Sequence, residues 1–547
     1  MNVGILDSYI VGNEYVGGIC GYSKNIINNC YCNGTVKGKN NVGGLCGEIE
    51  TECIITNCFS KGIVSGSGDN VGGICGYTYS AKVTNSYNEA SVSGKTNAGG
   101  VCGQNINTPV ADCYNVGTVV ATGDGIGGIC GRNQGSSVDN CYNSGVVRSN
   151  AERTKSSNHL GGICGVIYSS SINYCYNTGE IGVKTGTDPI KRYYVGGVCG
   201  EVHGSIQNCY NAGYVEGSDY VGGVCGELVT GTITNCINTN SSVYGLIAGG
   251  ICGRNYSSIK DCYDNHKRAI GDNPGNLDKV EHVETKSIAQ FESGEVGYLL
   301  AQGTDGFVWG QQLGTDQYPV LNSEYKVLKA AQDGQESTIY WATFSNLDND
   351  ATLSVPADRT LKVYDATVSG GALTLTERND CQVAKGEGIL LKTDGEYVNA
   401  KANETDVLAK ADYTDNNLVA TPSEAETITA DEGYTLYRLT YNNVENKEGL
   451  GFYLGVVGSV KDGSQLKATP CKAYLKVASS ETANARGFAF MEDEDDATGI
   501  KCVTVTDEAS QGNSGNSDDS MYDLGGRKVS QPAKGLYIRN GKKVIIK

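Results

Sequence analysis

Val16-Gly17-Gly18-Ile19-Cys20-Gly21 decides the fold, because it returns. Copies of Gly-Gly-x-Cys-Gly place Cys20, Cys46, Cys75, Cys102, Cys130, Cys164, Cys199, Cys225 and Cys252, with gaps of 26, 29, 27, 28, 34, 35, 26 and 27 residues. A period of this size is the signature of a stacked repeat array. A second signature, Asn-Cys-Tyr-Asn or a relative, follows 10 to 12 residues later at Cys30, Cys58, Cys113, Cys141, Cys175, Cys209, Cys236 and Cys262; the third copy has Ser86 instead. Short Val/Ile/Tyr/Cys runs between Gly, Asn, Ser and Asp read as strand-turn-strand, and no helical period survives. The expected fold is all-β: a parallel β-solenoid of about nine rungs over 1–270, on the order of 43 Å long at ~4.8 Å per rung.

Composition narrows the class. The chain has 76 Gly and 8 Pro in 547 residues, which suits tight turns in a solenoid. Its 61 acidic and 43 basic residues give −18, which argues against nucleic acid and anionic membrane as partners. No apolar run is long enough for a membrane span. Leu6-Asp7-Ser8-Tyr9 reads as the second half of a repeat, so the expectation is a chain that starts within a rung and lacks its true N-terminus.

Beyond the array the character changes. Residues 271–325 read as a cap, with a helix expected over 286–300 and a capping box at Ser287 and Gln290. Residues 326–500 alternate at period two and read as β-sandwich module(s). Residues 501–520 read as a flexible linker. Residues 521–547 carry a hairpin signal at Asn540-Gly541.

Gly-Gly-x-Cys-Gly…Asn-Cys-Tyr-Asn-x-Gly-x-Val resembles the GLUG repeat, in a Cys-bearing form. The resemblance covers about half the chain and implies a large bacterial surface protein, without implying an activity. The final stretch, Met521-Tyr522-Asp523-Leu524-Gly525-Gly526-Arg527 through Gly535-Leu536-Tyr537-Ile538, resembles the C-terminal sorting domain of the Bacteroidota type IX secretion route. That resemblance implies export from a Gram-negative cell and contact with the type IX machinery; a plain β-hairpin terminus is the alternative.

Nineteen of the 22 cysteines lie in the array. Two arrangements are open. One is disulfides within rungs: Cys20–Cys30, Cys46–Cys58, Cys102–Cys113, Cys130–Cys141, Cys164–Cys175, Cys199–Cys209, Cys225–Cys236 and Cys252–Cys262. The other is two ladders of buried thiols. Without Cys-x-x-Cys spacing or accompanying histidines, no metal is expected, and no cofactor.

Three places are candidate sites. The two longest gaps, near 148–159 and 183–194, carry Arg148, Arg153, Lys155, Lys184, Lys191, Arg192, Tyr193 and Tyr194, which suit an anionic glycan; loop variation without function is the bland reading. Glu201 and Glu227, each two residues after a repeat cysteine, would stand about 5 Å apart, the separation of a retaining glycosidase pair; otherwise they are a solvated column. Tyr31, Phe59, Tyr87, Tyr114, Tyr142, Tyr176, Tyr210 and Tyr263 repeat after the second cysteine and form either a sugar-stacking strip or inter-rung packing. The expected function is a secreted or surface, non-catalytic, adhesin-like protein binding glycans or host or matrix surfaces. The alternatives are a carbohydrate-active β-helix enzyme and a spacer presenting another domain.

Overall fold

The computed structural model describes residues 2–150, 158–183, 193–275, 277–302, 308–333, 337–346, 349–403, 416–422, 426–442, 449–455, 462–469, 471–482, 485–492 and 500–506, together with short strands within 521–546. The array is a parallel solenoid. The strands carrying the Gly-Gly signature form one nine-stranded parallel sheet, and the other strands of each rung join a second continuous parallel system. Equivalent residues lie in register, as in Cys102 opposite both Cys75 and Cys130. The stack runs past residue 270: Ile270–Asp272 and Val280–Thr285 pair in parallel onto the ninth rung. At the other end, Gly4–Val11 pairs with Tyr31–Gly38, and Tyr9 opposes Thr35 rather than Tyr31.

Each conserved-looking letter of the repeat has a separate physical cause. The apolar residues flanking Gly-Gly, such as Ile126 and Ile129, are fully buried and fill the coil. The first Asn of Asn-Cys-Tyr-Asn turns the corner in the left-handed region, with φ of 53° at Asn57 and 51° at Asn140, a conformation that Asn and Asp tolerate best after Gly. The last Asn is buried and forms a ladder. Asn88 donates to Asn115, Asn115 to Asn143, Asn143 to Asn177, Asn177 to Asn211 and Asn211 to Asn238, over 2.7–2.9 Å. Each amide also donates to the carbonyl two residues on, as Asn143 does to Gly145 at 2.8 Å. Both protons of every buried amide are therefore used, which removes the cost of burying it.

The repeat cysteines form two columns of thiols, the second of the two arrangements left open above, and no within-rung disulfide is present among the described residues. The first-column cysteines oppose one another from rung to rung, with Cys20 and Cys46 sulfurs 3.3 Å apart. In the second column the Cys30 amide donates to Cys58 Sγ and the Cys141 amide to Cys175 Sγ. The partner of a cysteine is thus the same position one rung on, and its thiol proton is also occupied: Cys46 Sγ donates to Glu48 O at 3.0 Å and Cys141 Sγ to Asp139 O at 3.2 Å. Burial raises the thiols Cys75, Cys113 and Cys175 above their ordinary range, so they behave as small hydrophobes.

The cap contains α1 (Ile288–Glu292) and α2 (Glu295–Gln302), with the expected Ser287/Gln290 capping box. The single helix expected over 286–300 breaks at Gly294, whose φ is +93°. Phe291, Val296, Leu300 and Trp309 pack on Ile237 and Tyr263 and close the array's apolar end.

Beyond it, the stretch that alternates at period two forms strands, including Tyr340–Ser345, Gly388–Thr393 and Ala473–Ala478. A five-stranded antiparallel sheet is the middle of three layers. One face packs Phe344, Ile389 and Leu391 against a four-stranded sheet carrying Leu353 and Val398. The other packs Trp341, Tyr364 and Leu390 against a six-stranded sheet carrying Tyr437, Phe452 and Phe488. Ile500–Thr506 is the edge strand of that last sheet, so the residues expected to begin the linker are β. Residues 507–520 lie outside the described residues. Near the C-terminus Gly535–Arg539 pairs with Lys542–Ile546 in an antiparallel sheet, and the turn at Asn540-Gly541 lies outside the described residues.

Candidate ligand-binding site

The repeated aromatic residue faces outward. Tyr31, Phe59, Tyr87, Tyr114, Tyr142, Tyr176 and Tyr210 stack with centroids 4.7–5.1 Å apart and planes within 7° of parallel. All are half-buried. This geometry settles the two readings of the column in an unexpected way. Stacking against a sugar needs an open ring face, and each interior ring has both faces covered by its neighbours. The ladder presents edges and phenol hydroxyls instead. Burial raises the phenols of Tyr87, Tyr114, Tyr142 and Tyr176, which keeps them protonated and able to donate. The column ends at Tyr210, because Ile237 takes the next place and is buried beneath the cap; Tyr263, expected as its last member, is 3% exposed in the cap's core. The Trp309 ring stands against Tyr210 at 6.2 Å, tilted 58°.

At that closed end lies a cleft of about 420 Å³. One wall is the ladder, from Tyr114 to Tyr210; the other is the corner column of Asp112, Asn140 and Tyr174; and Val320, Leu321 and Asn322 of the cap overhang it. Asn140 Nδ2 donates to Asp112 Oδ1 at 2.6 Å, which fixes the corner wall.

The basic-loop candidate is only partly placed. Arg153, Lys155, Lys184, Lys191 and Arg192 lie outside the described residues. Arg148 is exposed but paired with Glu180 of the next rung at 2.7 Å. Tyr193 and Tyr194 are 7% and 8% exposed, so they are not the free rings expected: the strand period turns Tyr193 into the core, and Tyr194 stacks between His159 at 5.2 Å and Tyr220 at 5.6 Å.

The carboxylate column is drawn into a network that sequence reading missed. Glu201 and Glu227 oppose each other on adjacent rungs. His159 Nδ1 meets Asp124 Oδ1 at 2.5 Å, and its Nε2 lies 2.8 Å from Glu201 Oε2, off the line of a straight hydrogen bond. His203 Nε2 meets Glu201 Oε1 at 2.8 Å. Glu227 pairs with Arg254 at 3.7 Å. Burial works against the charge on Glu201, but His159 and His203 outweigh it and hold the carboxyl down at about 2. Glu227 is raised, first by burial and then by the charge of Glu201. Among the described residues no group of three His, Cys, Asp or Glu is placed to hold a metal ion.

His159 offers a direct test. Burial pulls its imidazole down, yet Asp124 and Glu201 outweigh burial and hold it up at about 9, from 6.5. A raised folded-state value means that the stability it contributes is complete below pH 6.5 and disappears as the pH rises through 9. The difference corresponds to about 3 kcal/mol. In urea unfolding at stepped pH, wild type is expected to lose stability across this window, and H159Q to show a flatter profile. Parallel profiles would remove the ion pairs from the account.

The GLUG motif family model matches residues 122–148, one period of the array that includes the fifth glycine pair and its Asn-Cys-Tyr-Asn. The nine cysteine-bearing rungs fit that motif. A comparison with curated proteins finds no match. Among solved structures, a similar one is described as "a putative immunoglobulin A1 protease from Bacteroides ovatus", at 17% identity over 58% of this chain and 75% of that chain, with a TM-score of 0.27. At that score the likeness carries no argument.

Proposed function

We propose that this chain is an exported, surface-displayed, non-catalytic repeat protein of a Gram-negative bacterium that binds glycans as an adhesin does. The observation that carries the reading is the 420 Å³ cleft on the aromatic edge of the rod. Its aromatic walls, phenols and amides are the mixture of apolar surface and few polar groups that ligand sites use. The rigid repeat also offers hydroxyls at a regular spacing, so weak contacts add along one polymer. Export is supported by the resemblance of residues 521–547 to a type IX sorting domain, and the −18 charge does not favour nucleic acid.

The second reading, a carbohydrate-active enzyme, is supported by Glu201 and Glu227: adjacent-rung carboxyls whose protonation is pushed in opposite directions. One experiment separates the two. The full chain is applied to immobilised neutral and acidic polysaccharides, and retention is measured together with released reducing ends and unsaturated products. Retention without product is the expected outcome. Product that disappears in E201Q and E227Q would overturn the non-catalytic reading. Neither signal would leave the rod as a spacer.

A further inference from the structure

We propose that the cleft beneath Val320–Asn322 receives the end of a neutral sugar chain, so that the ladder reads a chain terminus rather than a chain interior. This rests on the glycan-binding reading of the same face and names its ligand more closely.

The first argument is shape. The aromatic edge runs half-exposed from Tyr31 through Phe59 and Tyr87 into the cleft, and stops there. Trp309 stands against Tyr210, Ile237 replaces the next ring beneath the cap, and Val320–Asn322 roof the last rungs. A polymer lying along the ladder can extend toward Tyr31 but cannot pass the cap. At about 420 Å³ the closed end is at the small-ligand end of the usual range, room for a di- or trisaccharide.

The second argument is Tyr174. Every other rung has Asn or Asp at this corner: Asn29, Asn57, Asn85, Asp112, Asn140, Asn208, Asn235 and Asp261. All share the left-handed backbone, and Tyr174 adopts it too, with φ of 54°. For a bulky side chain that conformation is strained. The strained residue lines the cleft and is 39% exposed. Its ring is also unlike those of the ladder: among the described residues it stacks on no other ring. Tyr174 thus adds to the cleft a part-exposed ring outside the stacked column, one that can lie against a pyranose.

The third argument is charge. Among the described residues no Lys or Arg lines the cleft, and Asp112 is its one carboxylate. An acidic sugar would meet that carboxylate with no counter-charge, whereas the hydroxyls of a neutral sugar match the phenols, Asn140 and Asn322.

The test uses the full chain and competes its retention on immobilised laminarin, starch, mannan and xylan. The competitors are each soluble polysaccharide and its partial acid hydrolysate, compared at equal mass. Recognition of ends predicts that potency rises with the number of termini, at least tenfold for a short-chain hydrolysate. Equal potency at equal mass would overturn the proposal while leaving glycan binding in place. Retention only by acidic polysaccharides would overturn it too, and retention by none would overturn both readings. Two variants carry the test to the residues. Y174N, the residue of the other rungs, is expected to leave the array as stable or more stable and to weaken binding at least tenfold; a purely structural Tyr174 would leave binding unchanged. V320R places bulk in the cleft from a 37% exposed position and is expected to abolish end competition.

Discussion

Replacing Gly128 by Ala is expected to cost about 4 kcal/mol or more, the range reserved for steric conflict in a packed core. The reason is close backbone approach. A Cβ at Gly128 would stand 2.1 Å from the carbonyl oxygen of Gly162 in the next rung and 2.4 Å from Cγ of the buried Asn143. The same collision recurs at the second glycine of the neighbouring pairs, with 2.1 Å to the next rung's carbonyl at Gly100 and at Gly162. This glycine lies over the Asn ladder, so neither the backbone nor the amide can yield without breaking hydrogen bonds. In a stacked array each rung is stabilised chiefly by its neighbours, and one spoiled interface uncouples the rungs on either side. Gly182 supplies the control. Among the described residues a Cβ there meets nothing closer than Glu216 O at 4.0 Å, so G182A is expected to change stability far less than G128A. Chemical unfolding and native-state hydrogen exchange are the measurements. G128A should lose amide protection locally around rungs four to six, and equal behaviour of the two variants would refute the close-approach account.

The rod was legible in the sequence because its period is enforced at each rung by such contacts. Gly-Gly, the flanking aliphatics and the corner Asn are local necessities that repeat, and repetition exposes them without any partner being known. The cysteines were less legible. Spacing along a rung brings Cys102 and Cys113 close in number, but the register of parallel strands makes Cys130 the partner of Cys102. A chain read one rung at a time cannot see a column. The same limit hid the His159–Glu201–His203 network, since scattered histidines gather only when rungs are written in register. It also hid Tyr174, which departs from an Asn/Asp corner visible once the repeats are aligned. The roof at Val320–Asn322 gave no signal at all, because a segment far along the chain folds back over rungs four to seven. The aromatic column was legible as a repeat and illegible as chemistry: whether rings offer faces or edges depends on stacking angle, which sequence does not carry.

Asp264 is where the repeat's own logic predicts the second large effect. It occupies the position of the ladder asparagines, opposite Asn238, and is fully buried. Its oxygens accept from the His266 amide at 2.7 Å and from Thr285 Oγ1 at 3.2 Å. The nearby Lys286 ammonium is committed to Glu284 and Glu295, at 2.7 and 2.8 Å. Burial therefore dominates and raises the Asp264 carboxyl from 3.8 to about 7, although the two hydrogen bonds pull the other way. For a raised value, stability is complete below pH 3.8 and declines as the pH rises through 7. The loss amounts to about 4 kcal/mol once the carboxylate is charged. D264N keeps the shape and one acceptor oxygen, and gives the position a proton donor that never ionises. It is expected to gain several kcal/mol over wild type at pH 8 and to match it near pH 4. The cap should report the gain most clearly, since Lys286 N donates to Asp264 O at 2.6 Å and α1 begins two residues later. Hydrogen exchange of the ninth rung and α1 at pH 5 and pH 8 is the check. A D264N chain no more stable than wild type at pH 8 would mean that the buried carboxylate is solvated or paired in solution, and that this end of the rod opens more readily than its packing implies.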